Sequence, residues 1–187
     1  MKRIAVLAFS SLCVTGMVSA DEIQDRSAAS RPVVQEFAGA LQGSLGKAMQ
    51  EGGPTNAIDA CNKAAPHIAQ EQSAKHGWEI GRTSLKTRND ANAPDAWEQQ
   101  VLQAFEERKA KGEDVAKMEY AEVVAEGGKQ YFRYMKAIPT GELCLKCHGA
   151  EIEPGVKAKL DELYPNDKAR GFKLGDIRGA FTIKQPM

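Results

Sequence analysis

The sequence predicts an α+β protein with an antiparallel sheet of about four strands wrapped by helices. Three observations carry this reading. Apolar residues recur at helical spacing through 34–49, two β-rich runs flank Gly127-Gly128, and a short alternating run closes the chain. A length of 187 residues fits one domain.

Taken in order, "MKRIAVLAFSSLCVTGMVSA" has a basic start at Lys2 and Arg3, an apolar stretch, and Val-Ser-Ala ending at Ala20. This is the layout of a bacterial secretory signal peptide over 1–20, cut after Ala20. The mature protein is therefore expected in the periplasm, with no membrane span after cleavage. The bulky Leu12 before Cys13 argues against a lipoprotein. Of the 25 basic residues, Lys2 and Arg3 leave with the signal; the remaining 23 face 25 acidic ones, a net charge of about −2. No basic patch is interleaved with aromatics, so nucleic acid is not an expected partner.

Residues 21–30 read as a disordered polar segment, and 31–187 as the single domain. Ser30 can cap a long N-terminal helix with Pro32 in its first turn and Val34, Phe37, Leu41, Leu45 and Met49 along one stripe. That stripe serves a core or a second copy of the chain equally well. "EGGP" at 51–54 stops the helix. A second helix from about Thr55 carries Ile58, Cys61 and Ala65, with a kink or restart at Pro66 and an end at Gly77. "WEIGRTSLKTR" reads as a strand interrupted by Gly81 and "NDANAP" as a turn. Asp95 caps a helix with Trp97, Val101, Leu102 and Phe105 on one face. "KMEYAEVVAEGGKQYFRYMKAI" reads as a hairpin. A loop or short helix holds the next segment, and a helix with Val156, Leu160 and Leu163 ends at Pro165. "DIRGAFTI" closes the sheet, with Ile177, Gly179, Phe181 and Ile183 expected on one face.

The segment after the hairpin, "GELCLKCHGA", carries the chemistry. Cys144-Leu-Lys-Cys147-His148 has the spacing for covalent haem attachment: two thiols add to the haem vinyl groups, and the adjoining histidine turns under the ring to ligate iron. One covalent haem c is the expected cofactor, and an export signal suits it. Zinc would need four ligands, usually as two pairs, and only one pair is present. A thioredoxin-like disulfide would need a βαβ setting, which the element order lacks.

For the other axial position the residues alone leave Cys61, Met135, His67 and His76 open. Cys61 is the unpaired thiol of the mature chain and lies on an apolar stripe, where a free cysteine also serves as a small core residue. Arg82, Lys86 and Arg88 are candidate partners for the anionic haem propionates, or a solvated strand. Tyr131, Phe132, Tyr134 and Met135 are candidate pocket walls, or plain core.

"AIDACNKAAPHIA", "IGRTSLKTRNDANAPDAWE", "CLKCHG" and "GFKLGDIRGAFTI", in this order, resemble a bacterial family of exported single-haem c-type proteins, long catalogued as a domain of unknown function. The resemblance covers about 33–184. It implies a PAS-like fold and iron held by the motif histidine and an upstream cysteine, which here are His148 and Cys61. Thiolate ligation favours ferric iron and a low potential, and two filled axial positions suit electron transfer or redox and ligand sensing better than catalysis. The expected partners are a redox protein or a small gas such as CO or NO, admitted if Cys61 detaches on reduction. The alternative is a peroxidase-type haem enzyme with an open distal iron site and a distal acid/base group.

Overall fold

The structure, a computed structural model, describes residues 19–187. The signal-peptide reading, Cys13 included, falls outside these residues except for its last two.

Four antiparallel strands form one sheet in the order β1-β4-β3-β2. β1 is Glu79–Thr83, β2 Glu119–Glu126, β3 Lys129–Pro139 and β4 Ile177–Pro186. β2 and β3 form the expected hairpin, turned by Gly127 and Gly128, both at positive φ. The strand expected through residue 88 ends at Thr83; beyond it Ser84 Oγ donates to the Arg178 carbonyl and Thr87 accepts from Lys168 N, so the chain bonds to the segment before β4 and to its start instead of continuing the ladder.

Helix α1, Ala20–His76, precedes the sheet. It is two arms folded at Gly52-Gly53, where Gly53 takes φ 70°, ψ −163°. Asn56 Nδ2 donates to the Ala48 carbonyl at 2.9 Å, and Glu36 accepts from Gln72 at 3.2 Å and Lys75 at 2.5 Å. These partners recede from the turn together, so the arms run antiparallel. The reading of 21–30 as disordered is corrected. These residues are helical from Ala20, capped by Ser19, whose hydroxyl accepts from Glu22 N at 3.2 Å. Ser30 is not a cap: it is fully buried, donating to the Arg26 carbonyl and accepting from Gln185 of β4 at 2.9 Å. The polar composition hid a face that β4 satisfies. Pro66 lies inside the helix without interrupting it.

The first arm buries Val33, Val34 and Phe37 against Ile80, Phe132, Tyr134 and Ile183 on one face of the sheet. Each large side chain so buried contributes about 1.5–3 kcal/mol. Helix α2, Ala96–Ala110, covers the other face through Val101, Leu102 and Phe105, packed on Met135, Ala137 and Ala180. Its Asp95 and Glu98 form a reciprocal capping box. Helices α3, Glu142–His148, and α4, Pro154–Leu163, lie between β3 and β4 in the chain. Val156 and Leu160 of α4 pack on Ile58 of the second arm of α1, with Cys147 against them.

Ile177 does not share the face of Ile183; it packs under α2. The cause is a bulge. Ile138 pairs with Gly179 but Pro139 with Ile177, so Arg178 has no partner on β3 and the alternation shifts by one.

Candidate functional site

Cys144 and Cys147 are one helical turn apart on α3, and His148 is its last residue. The segment between α4 and β4 is strapped beside it: Phe172 N donates to the His148 carbonyl at 2.9 Å, Gly171 N to Gly149 at 3.0 Å, and Lys168 N to Thr87 at 2.8 Å. Three distant stretches, near residues 84–88, 142–149 and 167–178, thus meet around His148.

His148 Nδ1 lies 2.8 Å from the Ala169 carbonyl. A carbonyl only accepts, so Nδ1 carries the proton and Nε2 keeps its lone pair. Burial, with the guanidiniums of Arg178 and Arg88, pushes the imidazole down to about 2, so it is neutral at ordinary pH. Arg178 Nε donates to Nε2 at 3.3 Å, and Arg88 Nη1 stands 3.5 Å from it. The Phe172 ring meets the imidazole edge-on at 6.1 Å.

The guanidiniums are the unusual feature. Arg88 pairs with Asp167 at 3.2 Å and donates to the carbonyls of Cys147 and Ala169, yet its Nε is buried without a partner. Burial opposes ionisation of Asp167, but Arg170 and Arg88 outweigh it and hold the carboxyl below its usual range. Arg178 donates to the Ser84 hydroxyl; burial, then Arg88 and Arg82, push it down to about 10. Burial likewise lowers Arg82. Among the described residues neither Arg82 nor Arg178 has a carboxylate partner. Both are half-buried, and a partly desolvated charge without a counter-ion is costly.

Cys61 is half-buried on the second arm of α1, one turn beyond the Ile58 that packs in the cluster with Cys147. Burial raises its thiol, and the charge of Arg82 opposes this. Cys147 is raised by burial against Arg88, with the Cys61 and Cys144 charges adding to the rise. All three thiols are free and gather in one region.

The other candidates separate. Lys86 sits at the rim, donating to the Arg170 carbonyl at 2.5 Å and lying 4.7 Å over the Phe172 ring. Tyr131 is at the hairpin end of β3, opposite Pro186, under Lys184. Tyr134 is buried against α1, and its hydroxyl donates to Glu119 at 2.7 Å; burial and that carboxylate raise it. Phe132 shares its core cluster, and Met135 is core on the opposite face. His67 is exposed; His76 stands 3.7 Å from Glu36 and beside Trp78. No group of three or more His, Cys, Asp or Glu among the described residues is placed to hold a metal ion.

The sequence reading missed Arg178, Asp167, Ala169 and Phe172. The one local signal was Arg178-Gly179 inside a strand pattern, which marks a bulge, and bulges re-aim side chains. Gly179 has φ +156°, and a Cβ there would stand 2.3 Å from the Thr83 carbonyl oxygen.

No curated protein matches the sequence. Among solved structures, the chain resembles the crystal structure of the cyanobacterial heme-protein Tll0287, with TM-score 0.62 and 27% identity, over 91% of this chain and 98% of that one. The family model described as Tll0287-like matches residues 15–186. The chain therefore belongs to the Tll0287-like family.

Proposed function

We propose that the protein is an exported c-type haem protein that carries electrons or senses redox state or a small ligand such as CO or NO. Cys144 and Cys147 would hold one haem as thioethers, with His148 Nε2 and Cys61 Sγ as the iron ligands. The observation that carries this is the His148–Ala169 hydrogen bond, which leaves Nε2 as a lone-pair donor beside two free thiols on one turn of helix. The charge pattern fits the same group. Arg82 and Arg178, half-buried without carboxylate partners, and the orphaned Arg88 Nε supply what two propionates require. Arg82 also favours the thiolate form of Cys61. The related solved structure is itself a heme-protein. Bound haem supplies one-electron iron chemistry; this chain orients the imidazole, withholds its proton from Nε2 and screens the carboxylates.

The test is absorption spectroscopy of the mature protein produced with haem-maturation machinery, in both oxidation states, for wild type and Cys61→Ala. The expected result is haem that survives denaturation, low-spin when ferric, with a spectrum altered in Cys61→Ala. An unaltered spectrum removes Cys61 from the iron. Absence of haem overturns the reading.

A further inference from the structure

We propose that the surface around α3 is the docking face for an acidic electron-transfer protein; the inference rests on the haem reading above and says where its electrons enter or leave. Five large hydrophobic side chains are exposed among the described residues, and three of them, Leu85, Leu143 and Leu174, surround the Cys-His segment. Leu174 is 61% exposed. Nothing in the fold requires these leucines to face water. They come from three stretches that hydrogen bonds hold together. Gly175 N donates to Thr140 at 2.9 Å and Thr140 N to Asp176 at 2.8 Å, fixing the Leu174 loop beside the start of α3. The Phe172–His148 and Lys86–Arg170 bonds join the Leu85 stretch to the same surface. Between Leu85 and Phe172 a cleft of about 290 Å³ opens, lined also by Leu102, Ile177 and Gly179 and by the polar Ser84, Lys86 and Glu106.

Charge selects the partner. Lys86, Lys146 and Lys173 are exposed around these leucines, and none forms an ion pair with a described residue. Lys146 shares the outer face of α3 with Leu143, three residues away. The exposed carboxylates of this face are Glu142 and Glu151, at the two ends of the segment, and Glu106, which lines the cleft; the exposed lysines Lys86, Lys146, Lys168 and Lys173 outnumber them. The mature chain is net acidic by the count above, so an acidic donor gains no attraction from the molecule as a whole, only from this face. An apolar centre with a lysine rim fits a carboxylate-rimmed protein whose redox centre must approach closely. The apolar contact supplies affinity, and the charges supply orientation and rate.

The experiment uses the haem-loaded protein. Purified reduced flavodoxin, an acidic one-electron protein donor, is mixed with the ferric form in stopped flow, and haem reduction is followed across ionic strength. Photoreduced lumiflavin, a small neutral donor, is the control. In each case one electron passes from the flavin to the haem iron. Lys146→Glu/Lys173→Glu should slow reduction by flavodoxin about tenfold or more at low salt and flatten its salt dependence. Leu174→Ser should slow it with the salt dependence kept. The haem spectrum should be kept in both variants, and the lumiflavin rate should change far less than the flavodoxin rate, by no more than the potential measured for each variant accounts for. Reduction by flavodoxin that is insensitive to salt and to the charge reversal, in a protein that carries haem, overturns the docking face alone. A protein without haem overturns the reading beneath it, and this proposal with it.

Discussion

His148 Nδ1 donates to the backbone carbonyl of Ala169, 2.8 Å away and 21 residues later in the chain. The bond fixes the tautomer from a loop that no local sequence pattern ties to the motif. Burial and the guanidiniums of Arg178 and Arg88, which outweigh this bond, keep the imidazole neutral in the folded chain, with a consequence for stability. The unfolded imidazole titrates near 6.5 and the folded one near 2. Between these values, falling pH protonates the unfolded state but not the folded one, so stability is lost as pH falls. Urea unfolding of the haem-free protein should show His148 contributing a loss of about 1.4 kcal/mol per pH unit below 6.5. His148→Gln should remove that component. An identical pH dependence in wild type and variant would refute it.

Asp167 has a side chain only 1% exposed and lies between Arg88 and Arg170. Asp167→Asn leaves Arg88 as an uncompensated buried cation, which costs about 3 kcal/mol or more. Denaturant midpoints of the two proteins measure this directly. A loss below 1 kcal/mol, about the worth of an exposed pair, would show that the bridge is solvated.

Arg82 separates two roles by sign. Replacing a half-buried, unneutralised guanidinium with Met should leave the stability of the haem-free protein unchanged or raise it by up to about 1 kcal/mol. In the haem-loaded protein the same substitution should lower the reduction potential, because a positive charge that favours the reduced centre is gone. A loss of haem-free stability together with an unchanged potential would make Arg82 an ordinary structural residue.

Gly179→Ala places a methyl 2.3 Å from the Thr83 carbonyl oxygen, a contact that only backbone movement relieves. The expected cost is about 2 kcal/mol or more. Because the bulge aims Arg178 at His148, the histidine resonances should shift in NMR spectra of the folded variant. Unshifted resonances would mean that Arg178 does not depend on the bulge for its position.

Much of this architecture could be read from the chain because local chemistry determines it. Gly127-Gly128 supplies the positive φ of the hairpin, Asp95 and Glu98 cap each other, and the Cys-His spacing needs no tertiary context. Ser27 and Ser30 misled because their hydroxyls are satisfied within the helix and by Gln185, so a buried helical face looked polar. Tyr131 and Tyr134 show the other limit. Alternation puts them on opposite faces of β3 but cannot say which face, or which end of the strand, meets the motif. The partners of His148 lie 21 and 30 residues downstream, beyond any periodic signal. Only Arg178-Gly179 left a local trace.

The fold at Gly52-Gly53 makes α1 two pieces with separate allegiances. Cys61, Cys144, Cys147 and His148 all lie on the C-terminal side of that turn, while the first arm contributes Val33, Val34 and Phe37 to the back of the sheet. The turn therefore divides the chain between a helical arm that packs the sheet and a remainder that holds the site. A chain cut at Gly53, where nothing stands within 4 Å of a Cβ, should reassemble from its two fragments. The N-terminal fragment would act as a removable wedge, and the larger one would keep every residue of the candidate site.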